Sequence, residues 1–135
     1  MHKHLAIFSK NSIKQIFSEK RGVEIRFSLR KVPPFETVSI GDLVYIKPPG
    51  EDVVGRFLIK KVIFIEGVEG KDQDWISTFF SKRTSLKDKT SNQNYFSRHK
   101  NAKYATLIFF DQIEQFIVSP IKINKRDSRG WVVLE

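Results

Sequence analysis

The chain of 135 residues contains no cysteine, and its apolar runs are short. Disulfide bonds, thiol nucleophiles and cysteine-based zinc sites are therefore excluded together. No run approaches the roughly 18 apolar residues that a membrane-spanning helix needs. The opening stretch, MHKHLAIFSK, lacks both the apolar region and the small-residue cleavage site of a secretion signal. These absences predict a cytoplasmic protein with no membrane partner.

Signature motifs of several enzyme classes are also missing. The stretch PPGEDVVG has neither the lysine nor the following helix of a phosphate-binding loop. His2 and His4 lie at the amino terminus, and no carboxylate stands at metal-ligand spacing from His99. There is no serine in a nucleophile elbow, and no pair of carboxylates has visibly different surroundings. We therefore predict no metal and no cofactor, and we favour a binding protein over an enzyme.

Positive charge is what the chain has in excess, with 24 Lys+Arg against 15 Asp+Glu and a formal net charge of +9. Residues 1–31 and residues 82–103 each carry a net +6, residues 32–81 carry −3, and residues 104–135 are neutral. If the fold brings the two basic blocks together, they form a positive face that attracts phosphates. If it does not, they are two separate solvated surfaces.

Hydrophobic periodicity predicts an α+β chain that is mainly β, and the length fits one domain, residues 1–135. Widely spaced strands without regular βαβ alternation favour a mixed or antiparallel, barrel-like sheet of six or seven strands with two or three helices. Strands are predicted at 4–8, 23–30, 43–47, 53–65 with a bulge or bend at Gly55, 104–110 running into 113–118, and a terminal hairpin of 119–123 and 131–134. Helices are predicted at 11–22, capped by Ser9 or Asn11, at 74–83, and as a short helix within 84–103.

The stretch SEKRGVEIRF, residues 18–27, is the first candidate site. Lys20 and Arg21 suit the negative end of the first helix, and Gly22 suits a left-handed helix terminus. Alternation along the next strand places Glu24 and Arg26 on the face away from the core, opposite Val23, Ile25, Phe27 and Leu29.

Two interpretations of this stretch stay open. Lys20, Arg21 and Arg26 can clamp a phosphate, because guanidinium groups match phosphate oxygens and an ammonium adds a point charge. Alternatively, Glu24 only neutralises its basic neighbours on an exposed strand.

Aromatic residues near basic ones suggest further contacts. Tyr95 and Arg98 lie in the second basic block, where rings can stack on bases while cations hold the backbone. The alternative is a solvated loop anchored by Phe96. Tyr45 shares a strand face with Lys47 and is predicted at the edge of a cleft.

The two tryptophans are interpreted differently. Trp75 can line a base pocket beside Tyr45, although a tryptophan in a helical apolar stripe is also typical of a core. Trp131 is predicted to be buried.

Four stretches of the sequence resemble one known superfamily. They are the basic turn followed by VEIR, the turn and strand IGDLVYI, the strand VVGRFLIKKVIFI, and the closing FIVSPIKI and GWVVL. Together they resemble the PUA-like superfamily and, within it, the small domains of ASCH and EVE type. The first stretch is similar to the ASCH pattern Gly-x-Lys-x-x-Glu-x-Arg.

The resemblance implies a PUA-like pseudobarrel that binds RNA, favoured over DNA, or a modified base, in a cleft beside the first helix. Some ASCH members are thought to be hydrolases, which implies Lys20 and Glu24 as a reactive pair here. Alignment on Glu24 and Arg26 places Glu19 at the pattern's glycine and Arg21 at its lysine. Because arginine stays protonated, Arg21 cannot act as the base or nucleophile that a lysine provides.

Three functions are therefore carried forward. The first is a nucleic-acid-binding module whose predicted site residues are Lys20, Arg21, Glu24, Arg26, Tyr45, Lys47, Trp75, Tyr95 and Arg98. The second is a small hydrolase of a modified nucleoside that uses Lys20 and Glu24. The third is a protein-interaction domain in which the acidic middle and the basic ends act as complementary patches.

Overall fold

The computed structural model describes residues 1–19, 21–68, 70–82, 95–118 and 129–134. Lys20, most of the second basic block and the predicted strand at 119–123 lie outside the described residues. The predicted mainly β, α+β class is confirmed. A single helical turn at 95–98 accompanies eight other elements: β1 Lys3–Ile7, α1 Lys10–Ser18, β2 Val23–Ser28, β3 Leu43–Lys47, β4 Gly55–Glu66, α2 Gly70–Ser81, β5 Tyr104–Gln115 and β6 Trp131–Val133.

The described strands form one mixed sheet in the order β2-β5-β4-β3-β1-β6. Only the β1–β3 pair in this order is parallel, and each other neighbouring pair is antiparallel. The long strands β4 and β5 shift register between Arg56 and Leu58 and again between Ile59 and Lys61. Such bulges bend a strand and increase its twist, which lets the sheet curl into a half-barrel. The predicted barrel-like sheet is therefore confirmed.

Two large buried clusters hold the helices on the sheet, and a third, smaller one lies around Leu5 and Leu43. One large cluster packs α1 against the centre of the sheet and includes Phe8, Phe57 and Phe110. The other large cluster packs α2 and the turn at 95–98 against β2, and includes Phe27 and Phe80. Within the described residues, neither helix is long and apolar enough to cross a membrane.

The first helix begins as predicted but ends earlier. Ser9 caps it, because the Ser9 hydroxyl accepts a hydrogen bond from the Ser12 main-chain N–H at 3.1 Å. The helix stops at Ser18 with Glu19 as its C-cap, so the prediction that it runs to a left-handed Gly22 is wrong. Gly22 instead lies against β5, where a Cβ would be 3.3 Å from the Phe110 carbonyl oxygen.

Other boundaries differ because tertiary pairing decides them. Leu29 was predicted in the core but is 67% exposed, since β2 ends one residue before it. The two predicted runs, 104–110 and 113–118, join in one strand that ends at Gln115, because β5 pairs with β4 along nearly its whole length. Trp131 is buried, as predicted, and its strand β6 pairs with β1.

A buried hydrogen-bonded group joins three parts of the sheet. Trp131 Nε1–H donates to His4 Nδ1 at 3.2 Å, so the other ring nitrogen of His4 carries the proton. That nitrogen lies 2.8 Å from Asp42, which also accepts the main-chain N–H groups of His2 and Ser39. Burial alone would raise the pKa of Asp42, but these hydrogen bonds outweigh it and hold the pKa below the usual value.

Asp42→Asn should reveal this coupling in acid. Because the folded pKa of Asp42 is lowered, its stabilising contribution is complete above the unfolded pKa of about 3.9 and is lost as the pH falls through the folded pKa. At neutral pH we expect the free energy of unfolding to fall by about 1–3 kcal/mol. Urea unfolding between neutral pH and strong acid should show the difference between the two proteins shrinking with acidity. A difference that stays constant with pH would contradict the coupling.

Gly55→Ala should be strongly destabilising. A Cβ on Gly55 would lie 2.5 Å from both the Glu114 carbonyl oxygen and the Phe17 ring, so strand or helix must move. We expect the free energy of unfolding to fall by about 1–3 kcal/mol or more, measured by urea unfolding. Lys60→Ala, at an exposed position of the same strand, is the control and should change little. Equal stability of both variants would show that the close approach is absent.

Candidate functional site

A cavity of about 860 Å³ lies where the two large buried clusters meet. Its wall is built from the end of β1, the first turn of α1, β2, the end of α2 and the helical turn at 95–98. The described residues that line it include three arginines, Arg21, Arg26 and Arg98, and one carboxylate, Glu24. The structure thus brings Arg98, a described cation of the second basic block, to the same place as Arg21 and Arg26 of the first.

Glu24 organises the charged part of this wall. One of its oxygens accepts hydrogen bonds from Arg21 Nη2 and from the Ile25 main-chain N–H, both at 3.1 Å. The other accepts from Arg26 Nε at 3.0 Å. Since the Glu24 and Arg21 side chains are at most 10% exposed, these are largely buried, charge-assisted bonds.

Arg21 is a structural cation in this arrangement. It is 3% exposed, and its Nη1 donates to Gln15 in α1 at 2.6 Å. Its guanidinium also lies 5.1 Å from the centre of the Phe80 ring in α2. Arg21 therefore ties β2 to both helices, and it is too buried to be the outer part of a phosphate clamp.

Arg26 crosses a gap between two edges of the sheet. The edge strand β2 has no described hydrogen-bonded neighbour other than β5, and Arg26 reaches from it toward β1 and β6. Its Nη2 donates to the Ile7 carbonyl at 2.7 Å, and its Nη1 donates to the Gly130 carbonyl at 3.3 Å. Its guanidinium lies over the rings of Phe8 and Trp131, with centroid distances of 4.7 and 5.4 Å.

Tyr95 caps the outer edge of β2. Its hydroxyl donates a hydrogen bond to the Ile25 carbonyl at 2.8 Å and accepts one from the Phe27 main-chain N–H. Burial, together with the nearby Glu24 carboxylate, raises the pKa of Tyr95 well above its usual value, so the phenol stays protonated. The ring lines the cavity, but its polar end is engaged by the strand.

His99 is a cavity residue that the sequence analysis did not select. Its ring stacks on Phe27 at 24° with centroids 5.9 Å apart, and it lies 4.6 Å from the Tyr95 ring. Burial and the cations Arg98 and Arg26 lower the pKa of His99, so its imidazole is neutral at pH 7. Its position in the run YFSRHK, among aromatic and basic residues, was the signal available in the sequence.

The first turn of α1 was also missed as part of the site. Ser9, Asn11 and Ser12 line the cavity, and the turn contains no acidic residue. The sequence predicted the cap at Ser9, but only the packing of α1 beside β2 turns this helix end toward Arg26.

Three predicted site residues lie elsewhere. Tyr45 and Lys47 are 8% and 0% exposed, because β3 is an inner strand of the sheet and its residues are buried on both faces. Neither side chain lines the cavity, which corrects the prediction that they stand at its edge. Trp75 is 45% exposed on α2 with its indole N–H 3.4 Å from Asp72, so it belongs neither to the core nor to the cavity wall.

The predicted reactive pair is not assembled among the described residues. Lys20 lies outside them, and the oxygens of Glu24 already accept three hydrogen bonds. No group of three or more metal-ligating side chains occurs in the part of the chain that the structure describes. The geometry around Glu24 is that of an anchor for two arginines.

The fold has solved relatives, although no protein-family model and no curated protein matches the chain. The ASCH protein of Zymomonas mobilis matches over 84% of this chain and 69% of its own, with a TM-score of 0.59 and 16% identity. A serine-to-alanine variant of that protein matches over 98% and 88%, with a TM-score of 0.66 and 13% identity. A tyrosine-to-phenylalanine variant matches over 84% and 71%, with a TM-score of 0.58 and 16% identity. The chain therefore has the same fold as the ASCH protein of Zymomonas mobilis.

Glu24→Gln should destabilise the protein whether or not any ligand is present. The substitution leaves Arg21 and Arg26 without their shared carboxylate, and breaking a buried ion pair costs about 3–5 kcal/mol. The control is Glu114→Gln, which breaks the exposed pair with Arg56 and should cost about 0–1 kcal/mol. Chemical unfolding of both variants measures the contrast. Equal, small losses would mean that Glu24 does not anchor this wall.

Proposed function

We propose that this ASCH-fold chain binds RNA and takes one nucleotide, modified or unmodified, into the cavity beside α1. The observation that carries the proposal is the composition of one wall, in which arginines, a helix amino terminus and aromatic rings face the same space. The cavity volume of about 860 Å³ falls within the range of about 300–1,000 Å³ typical of ligand sites.

The phosphate would lie between Arg26, Arg98 and the first turn of α1. Three of the five N–H groups of Arg26 have partners among the described residues, which leaves one on each terminal nitrogen for a ligand. Arg98 is exposed at the rim and supplies a second cation. The amino terminus of α1 adds partial positive charge, with no acidic side chain in its first turn to oppose an anion.

The base would enter the aromatic part of the cavity. Phe27, Tyr95 and the neutral His99 provide ring faces there, and aromatic faces stack on any base. The Glu24 oxygen bonded to Arg26 has one hydrogen bond from a described residue and can accept another from the amino group of a base. Because a base must leave a stack to enter a pocket, single-stranded RNA is the favoured partner over duplex DNA.

Arg98→Ala is the sharpest first test, because Arg98 is exposed and takes no described part in holding the sheet. Binding of labelled single-stranded RNA, duplex RNA and duplex DNA should be titrated at low and physiological salt. We expect single-stranded RNA to bind best, and Arg98→Ala to weaken it several-fold and to reduce the salt slope by about one.

Arg30→Ala is the matched control. It removes the same charge from an exposed position outside the cavity and should change binding little. Equal weakening by both variants would mean that only overall charge matters. No binding to any of the three polymers would overturn the proposal, and concentration-dependent self-association in its place would favour the protein-interaction domain. Turnover of a modified nucleoside would favour the hydrolase.

A further inference from the structure

A second cavity, of about 460 Å³, adjoins the first. Its wall is formed by β2, by the connector at 32–35 and by the start of β6. Arg26 and Phe27 line both cavities, so the two spaces are separated by these side chains. The second cavity lies on the far side of the gap that Arg26 crosses.

The lining of the second cavity suits a flat, weakly polar group next to an anion. Val32, Pro33 and Phe35 give it apolar surface, and Arg129 stands with Arg26 as a cation. No acidic residue occurs among the described side chains that line it. A nucleobase has apolar faces and is attached to a phosphodiester, so it satisfies both parts of this wall.

The guanidinium of Arg26 is oriented toward both spaces. Its Nη2 is held by the carbonyl of Ile7, which lines the first cavity. Its Nη1 is held by the carbonyl of Gly130, which lines the second. Each terminal nitrogen keeps one N–H beyond its bond to a described residue, so a phosphate over Arg26 would lie between the two cavities.

We infer that the second cavity is a binding site for the nucleotide that neighbours the one in the first cavity, with Arg26 holding the phosphodiester between them. This inference rests on the proposed function and narrows it: the ligand is a dinucleotide step of single-stranded RNA, and a free nucleoside fills only half of the site. Two bases splayed into separate cavities cannot remain stacked in a duplex, so the site selects unpaired RNA.

The test compares two probes of random base composition, RNA mononucleotides and RNA dinucleotides with the same 5′-phosphate, at physiological salt. The measured quantity is the dissociation constant of the mononucleotide divided by that of the dinucleotide. We expect dinucleotides to bind at least about fivefold more tightly, since stacking one more base contributes that much or more. Val32→Glu, at a position 45% exposed, should reduce this ratio toward one.

Ile40→Glu is the control, because it adds the same charge to an exposed aliphatic position outside both cavities. It should leave the ratio nearly unchanged, because Ile40 lies outside both cavities. Since the dinucleotide carries one more negative charge than the mononucleotide, this control shows how much of the Val32→Glu effect comes from charge alone. Arg129→Ala provides a second variant from another element and should also lower the ratio.

The outcomes separate the two proposals. Mononucleotide binding with no gain for the dinucleotide, or a gain that survives both Val32→Glu and Arg129→Ala, overturns the second site and leaves the proposed function standing. Absence of binding by both probes overturns the proposed function and this inference with it.

Discussion

The Glu24 carboxylate, held between Arg21 and Arg26, is the interaction on which the site depends. Isolating three charged groups from water is costly unless each finds partners of opposite charge or good hydrogen bonds. Here the two arginines reach in different directions from the same anion: Arg21 toward the helices, and Arg26 toward the opposite edge of the sheet. One carboxylate thus fixes both the position of α1 over β2 and the closure of the half-barrel.

The cavity exists because β2 has no described strand partner on its outer side. Main-chain groups left open at an edge need other partners, and side chains supply them here. Glu24 accepts the Ile25 N–H, and the Tyr95 hydroxyl accepts and donates along the same edge. These caps occupy far less space than a strand would, so the volume beside β2 stays open to a ligand. Among the described strands, the cavity therefore lies where one position beside the sheet edge is unfilled.

The sequence predicted the elements better than the site. Alternation identified β2 and β3, and the cap at Ser9 identified the start of α1, because these signals are local. The same alternation could not reveal that β3 is an inner strand buried on both faces, which removes Tyr45 and Lys47 from the surface. Glu24, Arg26, Tyr95 and Arg98 were predicted as site residues and do meet at one cavity. That the arginines share a carboxylate, and that His99 stacks on Phe27, depends on contacts distant in sequence that no pattern displays.

Under the proposed function, the two roles of Arg26 would couple binding to folding. The same guanidinium bridges the sheet edges through the Ile7 and Gly130 carbonyls and presents its remaining N–H groups outward. An anion bound at these N–H groups would interact with the arrangement in which Arg26 bridges the sheet edges, and not with one in which the edges are apart. By thermodynamic linkage, the anion would stabilise the bridged arrangement by the same free energy that this arrangement contributes to its binding. Under the proposed function, the edges of this sheet and an anion bound at Arg26 would therefore form a single cooperative unit.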